Sequence, residues 1–202
     1  METQTTLRPV RVANPKDQID VSIIIPLGPR YEDLAEICQE LRRVLAVLRK
    51  RHEVIFVDDA TGPQTRQILR MLVEQFPEVR VIRLQRRMGE STALALGARS
   101  ARGEVLATVD PYLHVAISEL PKLLAPLADG VDVVCAWRSP RLETGLTRVA
   151  SEGFNAAARW LTKVPVHDLN CRIRAMRGDV LREIPLYGDL YRFLPIFAAR
   201  KG

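Results

Sequence analysis

The chain has 202 residues, a formal net charge of +6 and a hydrophobic fraction of 47%. This length suits one domain with a substantial core, and the composition is that of a globular protein. No apolar run reaches the roughly 20 residues that a membrane-spanning helix requires. The three cysteines lie far apart, which favours core thiols in a reducing compartment over a disulfide framework.

The amino-terminal segment is polar and lacks the apolar stretch of a secretion signal. We therefore predict that residues 1–19 form a flexible lead-in and that residues 20–202 form one domain. The basic charge favours anionic partners in general. However, no aromatic-rich basic platform, zinc finger or helix-turn-helix signature is visible, so nucleic acid is not an expected partner.

Five short runs rich in β-branched residues predict strands, and helical patterns separate them. The strand runs are residues 21–25, 53–57, 79–84, 104–109 and 131–137. The helical patterns cover residues 34–48, about 64–72, 90–101 and a segment after Ser118. This alternation predicts an α/β fold with an open, mostly parallel twisted sheet flanked by helices.

Polar residues follow three of the predicted strands, at the point where each strand ends. Asp58 and Asp59 follow the second strand, Arg86 and Arg87 follow the third, and Asp110 follows the fourth. In open parallel sheets, ligands bind beyond the carboxyl ends of the strands. We therefore expect these side chains to meet in one binding site.

The motifs resemble those of family 2 glycosyltransferases, in the branch of dolichyl-phosphate mannose synthase and its bacterial polyprenyl-phosphate relatives. In chain order they are "VSIIIPLGPRYEDL", "EVIFVDDATGPQT", "VRVIRLQRRMGESTALALGARSARGEVLATVD", "DVVCAWR" and "VPVHDLNCRIRAMRGDVL". The resemblance covers residues 20–202 and implies a GT-A fold. It also implies inverting transfer of a sugar from a UDP- or GDP-sugar to a lipid phosphate. The implied location is cytoplasmic, with peripheral contact at the inner face of the membrane.

The same resemblance implies which residues form the site. Those expected to hold the nucleotide sugar are Pro26, Asp58, Asp59, Arg86, Gly89 and Arg138. Asp110 is implied at the reacting centre as a ligand of metal or sugar phosphate, and Asp168 is implied near the sugar and the acceptor. Alternatives remain open, because Asp58 and Asp59 could instead cap a turn and Arg138 could form a surface salt bridge.

The metal motif departs from the family pattern. The usual Asp-x-Asp is here Asp110-Pro111-Tyr112, so one metal acid of two is retained. His114 is either a softer ligand that would favour Mn²⁺ or a polar loop residue. Mg²⁺ needs only one or two carboxylates beside phosphate oxygens and waters. A divalent cation, Mg²⁺ or Mn²⁺, is therefore expected from the resemblance but put in doubt by Tyr112.

Other departures lie around the expected site. Pro29 and Arg30 replace an Asn-Glu pair, Ala60 replaces a glycine, and Arg172 replaces a glycine with added charge and bulk. Arg174 either contacts phosphate or lies on a basic face. These departures support an alternative function, in which a degenerate, non-catalytic glycosyltransferase fold binds a nucleotide or a partner.

Overall fold

The structure, a computed structural model, describes most of the chain. The described residues are 18–112, 117–136, 153, 160, 162–164, 168–169 and 171–199. Most of the predicted lead-in, His114 and Arg138 lie outside these ranges. No helix of the described residues is both long enough and apolar enough to cross a membrane.

A six-stranded sheet forms the centre of the described molecule. Its strands are β1 (Val21–Leu27), β2 (His52–Asp58), β3 (Val79–Arg83), β4 (Val105–Thr108), β5 (Val133–Cys135) and β6 (Arg174–Arg177). Their spatial order is β3-β2-β1-β4-β6-β5. The first four strands pair in parallel, whereas β6 is antiparallel to both β4 and β5. The predicted open, mostly parallel sheet is confirmed.

Helices cover both faces of this sheet. They are α1 (Leu34–Val47), α2 (Pro63–Gln75), α3 (Glu90–Ser100), α4 (Leu120–Ala128), α5 (Gly178–Glu183) and α6 (Leu194–Ala199). Two short 3₁₀ turns, Ile117–Glu119 and Leu190–Phe193, precede α4 and α6. The apolar stripes of α1, α2 and α4 pack on one face, and those of α3, α5 and α6 pack on the other. Adjacent residues of β1 enter both cores, as expected for a strand that is buried on both sides.

The carboxyl-terminal half of the sheet differs from the prediction. The fifth strand is limited to Val133–Cys135, and β6 lies between it and β4. The sequence of β6 did not indicate a strand, because it is four residues long and begins and ends with arginine. Tertiary pairing, and not local pattern, makes this segment a strand.

Arg174 lies in the interior and not on a basic face. It is 2% exposed, and its guanidinium donates to the carbonyls of Tyr191 at 2.6 Å and Leu169 at 2.8 Å. Burial lowers the pKa of Arg174. The residue therefore acts as an internal clamp, which fastens the chain on either side of β6 to the sheet.

The three cysteines are free thiols, as the sequence predicts. Cys38 and Cys171 are buried, and Cys135 is partly buried. Burial raises the pKa of Cys38 to about 12 and that of Cys135 to about 11. The raised pKa values make the Cys38 and Cys135 thiols unreactive at neutral pH.

Candidate active site

A cavity of about 250 Å³, here called the strand-end cavity, opens at the carboxyl ends of β1 and β2. Its lining includes Pro26, Gly28, Arg30, Asp59, Arg87, Gly89, Glu90, Pro111, Tyr112 and Arg172. A much smaller cavity adjoins it and is lined by Asp110, with Pro26, Glu90 and Arg172 common to both. Asp59, Arg87 and Asp110, which follow three different strands, therefore line these two cavities at one edge of the sheet.

Asp59 shapes the wall of the strand-end cavity. One of its carboxylate oxygens accepts the backbone N–H of Met88 at 2.6 Å, and the other accepts that of Gly89 at 3.0 Å. Its own N–H donates to the carbonyl of Leu27 at 3.1 Å. Gly89 has φ +85°, a left-handed conformation that glycine adopts without strain. Asp59 thus joins the ends of β1 and β2 to the turn that begins α3.

Asp58 has a different environment from its neighbour. It is 1% exposed, and one oxygen accepts both the N–H and the hydroxyl of Thr61 while the other accepts Nε of Arg83 at 2.8 Å. Burial acts to raise the pKa of Asp58, but the hydrogen bonds from Thr61 and Arg83 outweigh it and hold the pKa below its usual range. Asp58 does not line the strand-end cavity. Its contacts favour the turn-capping alternative.

Ala60, between Asp59 and Thr61, has φ +54°. This is the position at which the family motif carries glycine. An L-residue in the left-handed region is strained, so Ala60 holds a backbone conformation that glycine would adopt more easily.

Arg172 holds the carboxylates of Asp110 and Glu90 together. Its Nη1 lies 3.2 Å from Oδ1 of Asp110, and its Nη2 lies 3.3 Å from Oε2 of Glu90. Nη2 also donates to the Tyr191 hydroxyl at 3.4 Å, and the guanidinium lies 5.6 Å from the centre of that ring. The cation is therefore fixed from three directions.

The charged groups of this cluster shift one another's pKa values. Burial acts to lower the pKa of Arg172, but the carboxylates of Glu90 and Asp110 raise it above its ordinary value. Burial raises the pKa of Glu90, with Arg172 opposing this and Asp110 adding to it. Arg172 is consequently a permanent cation at the floor of the site.

The donor set fits a divalent cation poorly. Asp110 is paired with Arg172, and the Tyr112 hydroxyl donates to the backbone carbonyl of Arg30 at 3.0 Å. A phenol hydroxyl is also a neutral, weak ligand for a hard divalent cation. Among the residues that the structure describes, no group of three or more His, Cys, Asp or Glu side chains is placed to hold a metal. His114, the other predicted ligand, lies outside the described residues.

Only some of the remaining predicted residues line the two cavities. Pro26 lines both cavities, whereas Arg86 is exposed and its neighbour Arg87 lines the strand-end cavity instead. Asp168 is 2% exposed, and its carbonyl accepts the N–H of Cys171 at 3.3 Å. It does not line either cavity. Arg138 lies outside the described residues.

Two residues of the cluster were not predicted from the sequence. Glu90 is the first residue of α3, directly after Gly89. An acid at a helix start that faces a sheet edge was the signal that could have found it. Tyr191 had no such signal, since it lies far along the chain from Asp110 and reaches the site only through tertiary packing.

Comparison with known proteins identifies the family. The model of "Glycosyl transferase family 2" matches residues 22–184. Dodecaprenyl-phosphate galacturonate synthase of Rhizobium johnstonii is 26% identical over 97% of this chain and 59% of its own length. Undecaprenyl-phosphate 4-deoxy-4-formamido-L-arabinose transferase of Pseudomonas savastanoi pv. phaseolicola is 31% identical over 88% of this chain and 53% of its own length. The chain thus spans little more than half the length of these relatives.

The fold has solved counterparts. Glucosyl-3-phosphoglycerate synthase from Mycobacterium tuberculosis, crystallised with Mn²⁺, UDP and phosphoglyceric acid, superposes with a TM-score of 0.64. The alignment is 16% identical and covers 87% of this chain and 62% of that one. This likeness shows that the chain has a GT-A fold. The match to the family model shows that the chain belongs to glycosyl transferase family 2.

Proposed function

We propose that this chain is the catalytic domain of a polyprenyl-phosphate glycosyltransferase, which transfers a sugar from a UDP- or GDP-sugar to a lipid phosphate with inversion. The observation that carries the proposal is the strand-end cavity, where Arg87 and Arg172 lie beside Asp59 and Glu90. The two relatives compared above are named for transfer to dodecaprenyl and undecaprenyl phosphate.

The cavity suits a nucleoside diphosphate. Three arginines, Arg30, Arg87 and Arg172, are among its lining residues, and a guanidinium can hold two phosphate oxygens at once. Helix α3 begins at the same wall without a side-chain cap, and the first amides of a helix favour an anion. The carboxylates of Asp59 and Glu90 are acceptors for hydroxyl and amine groups of the donor.

The reaction that we propose needs little proton chemistry. A lipid phosphate is already ionised, so its oxygen can attack the anomeric carbon without a strong general base. The bond from that carbon to the diphosphate oxygen then breaks, and the electron pair leaves with the nucleoside diphosphate. Positive charge at the leaving oxygens stabilises this step. Asp110 and Asp168 remain proposed members of the reacting centre, with Asp110 acting through the position of Arg172.

The proposed acceptor is a membrane lipid, so the domain must meet a membrane surface. We propose that it does so peripherally, at the cytoplasmic face, through its excess of basic residues. A second function, nucleotide binding without turnover, is favoured by one observation: Tyr112 directs its hydroxyl to the Arg30 carbonyl where the family motif has a metal acid.

The direct test is transfer to a defined lipid. The protein is incubated with labelled UDP- and GDP-sugars and undecaprenyl phosphate, and sugar-phosphate lipid is detected by chromatography and mass spectrometry. Product formation is the expected result. Nucleotide binding without product would favour the non-catalytic alternative, and binding of neither nucleotide would overturn both.

Asp59→Ala provides the matching variant. It should weaken nucleotide binding by about 1–3 kcal/mol, because the Gly89 turn loses the acceptor that fixes it. Asp20→Ala is the control, since Asp20 also accepts a backbone N–H, that of Arg51 at 2.7 Å, but lies before β1 at the opposite edge of the sheet. If the two variants bind the nucleotide with equal affinity in calorimetry, Asp59 does not belong to the binding site.

A further inference from the structure

The guanidinium of Arg172 is held at the point where the strands deliver their acidic residues. Arg172 precedes β6, and its carbonyl accepts the hydroxyl of Thr108, the last residue of β4, at 2.6 Å. Its backbone is therefore fixed against the strand that leads to Asp110. The ion pairs with Asp110 and Glu90 and the contact with Tyr191 then fix the side chain.

Within the part of the chain that the structure describes, these contacts leave N–H groups of Arg172 available to a ligand. A guanidinium carries five N–H groups, more than the contacts with Asp110, Glu90 and Tyr191 occupy. The side chain of Arg172 is 36% exposed, and it lines the strand-end cavity. An anion in that cavity would meet an N–H donor that is already oriented.

The same arrangement disfavours a metal ion. A divalent cation bound to Asp110 would compete with Arg172 for the carboxylate and would lie beside a fixed positive charge, which repels it. Tyr112 supplies no compensating negative charge. The guanidinium of Arg172 thus occupies the position at which a motif with two acids would bind a metal ion from solution.

We propose that Arg172 takes the place of the divalent cation, so that this chain binds the diphosphate of its donor without metal. The guanidinium contacts the diphosphate oxygens directly and holds the charge that gathers there as the bond to the sugar breaks. Asp110 and Glu90 act as positioning residues, since they orient Arg172 and do not bind a metal. This inference rests on the proposed function.

The first test compares nucleotide binding by the unaltered protein with and without metal. UDP and GDP are titrated calorimetrically into the protein in excess EDTA and, separately, in millimolar Mn²⁺. The dissociation constant of the tighter nucleotide is expected to agree within about twofold between the two conditions. A dissociation constant at least tenfold larger in EDTA would overturn the inference and leave the proposed function standing. Failure of both nucleotides in both conditions would overturn the two together.

Substitutions of Arg172 identify the group responsible. Arg172→Gln should weaken binding in EDTA by about tenfold or more, since the ligand loses a charged hydrogen-bond partner. The affinity of Arg172→Lys should lie between those of Arg172→Gln and the unaltered protein, because lysine retains the charge but cannot hold two phosphate oxygens at once. Arg70→Gln, which removes an exposed arginine of α2 away from the cavity, is the control and should bind like the unaltered protein.

Folding of each variant is checked by its thermal unfolding transition. Should Arg172→Gln fail to fold, Arg172→Lys and the metal comparison still decide the matter. Binding by a folded Arg172→Gln that equals that of the unaltered protein in EDTA would overturn the inference.

Discussion

At the scale of single residues, the turn after β2 holds a non-glycine residue in a backbone conformation that favours glycine. Ala60 occupies the left-handed region, φ +54°, between the two acids that shape that edge of the sheet. An alanine there costs roughly 1–2 kcal/mol relative to a right-handed conformation. The hydrogen bonds of Asp58 to Thr61 and of Asp59 to the α3 turn hold it in place.

Ala60→Gly should therefore stabilise the protein. The strain removed exceeds the roughly 0.4–1 kcal/mol by which glycine adds entropy to the unfolded chain, so a net gain of about 0.5–1 kcal/mol is expected. Urea unfolding measures it. The control is Ala46→Gly, in the last turn of α1, which should destabilise by up to about 1 kcal/mol. A loss at both positions would show that the Ala60 turn is not strained.

The residue scale is also where prediction from sequence was least complete. The pattern placed two adjacent acids at the end of a strand, but it could not tell which faces the ligand, because a turn breaks the alternation of a strand. The structure turns Asp58 inward and Asp59 to the cavity. For the same reason, the sequence could not tell which of Arg86 and Arg87 lines the cavity, and in the structure it is Arg87. The added charge of Arg172 was visible in the sequence, but its partners were not.

At the scale of elements, a buried carboxylate joins the sheet at the edge opposite the active site. Glu53 of β2 is fully buried and accepts from Ser22 of β1 at 2.7 Å and from Arg80 of β3 at 2.6 Å. It also accepts the backbone N–H of Arg102, before β4, at 2.7 Å. Burial acts to raise the pKa of Glu53, but these hydrogen bonds outweigh it and lower the pKa. One side chain thus joins four neighbouring segments.

Glu53→Gln should destabilise the protein by roughly 2–3 kcal/mol at pH 7, toward the low end because both arginine partners are partly exposed. The folded carboxylate has a lower pKa than the unfolded one. The stability that the Glu53 carboxylate contributes is therefore fully present above its unfolded-state pKa, near 4.3. This stability is lost as the pH falls through the folded-state pKa. Urea unfolding between pH 7 and pH 3.5 should show a smaller loss of stability for Glu53→Gln than for the unaltered protein. Glu74→Gln, at an exposed position of α2, should lose the same stability on acidification as the unaltered protein. An identical pH dependence for all three proteins would show that Glu53 does not contribute to the loss of stability at low pH.

The elements themselves were largely predictable. The parallel strands β1 to β4 and their helices have clear patterns, because the strands are short apolar runs and the helices carry an apolar stripe. Strand β6 was missed because its position depends on pairing with two strands that come much earlier in the chain. The sequence therefore showed that Arg172 lies near the site, but it did not predict the residues that Arg172 contacts there.

At the scale of the whole molecule, the net charge of +6 bears on how the domain reaches a lipid acceptor. Attraction to anionic lipid is screened within about 10 Å at 0.1 M salt. Recovery of the protein with floated anionic vesicles should be high at low salt and should fall steeply as salt is raised. Neutral vesicles serve as the control. Equal recovery with neutral and anionic vesicles would exclude attachment through charge.

The antiparallel insertion of β6 also determines when the site can exist during folding. Asp59, Gly89 and Asp110 belong to consecutive parallel units, whereas the β4–β6 ladder pairs Val105 with Arg177 and closes a loop of about 70 residues. Such long-range pairing is slow to form. A chain in which β6 has not yet paired would keep the wall shaped by Asp59 and would lack the fixed guanidinium of Arg172. Pairing of one four-residue strand would therefore raise anion affinity at a stage when most of the amide protons in β1 and β2 are already protected from exchange.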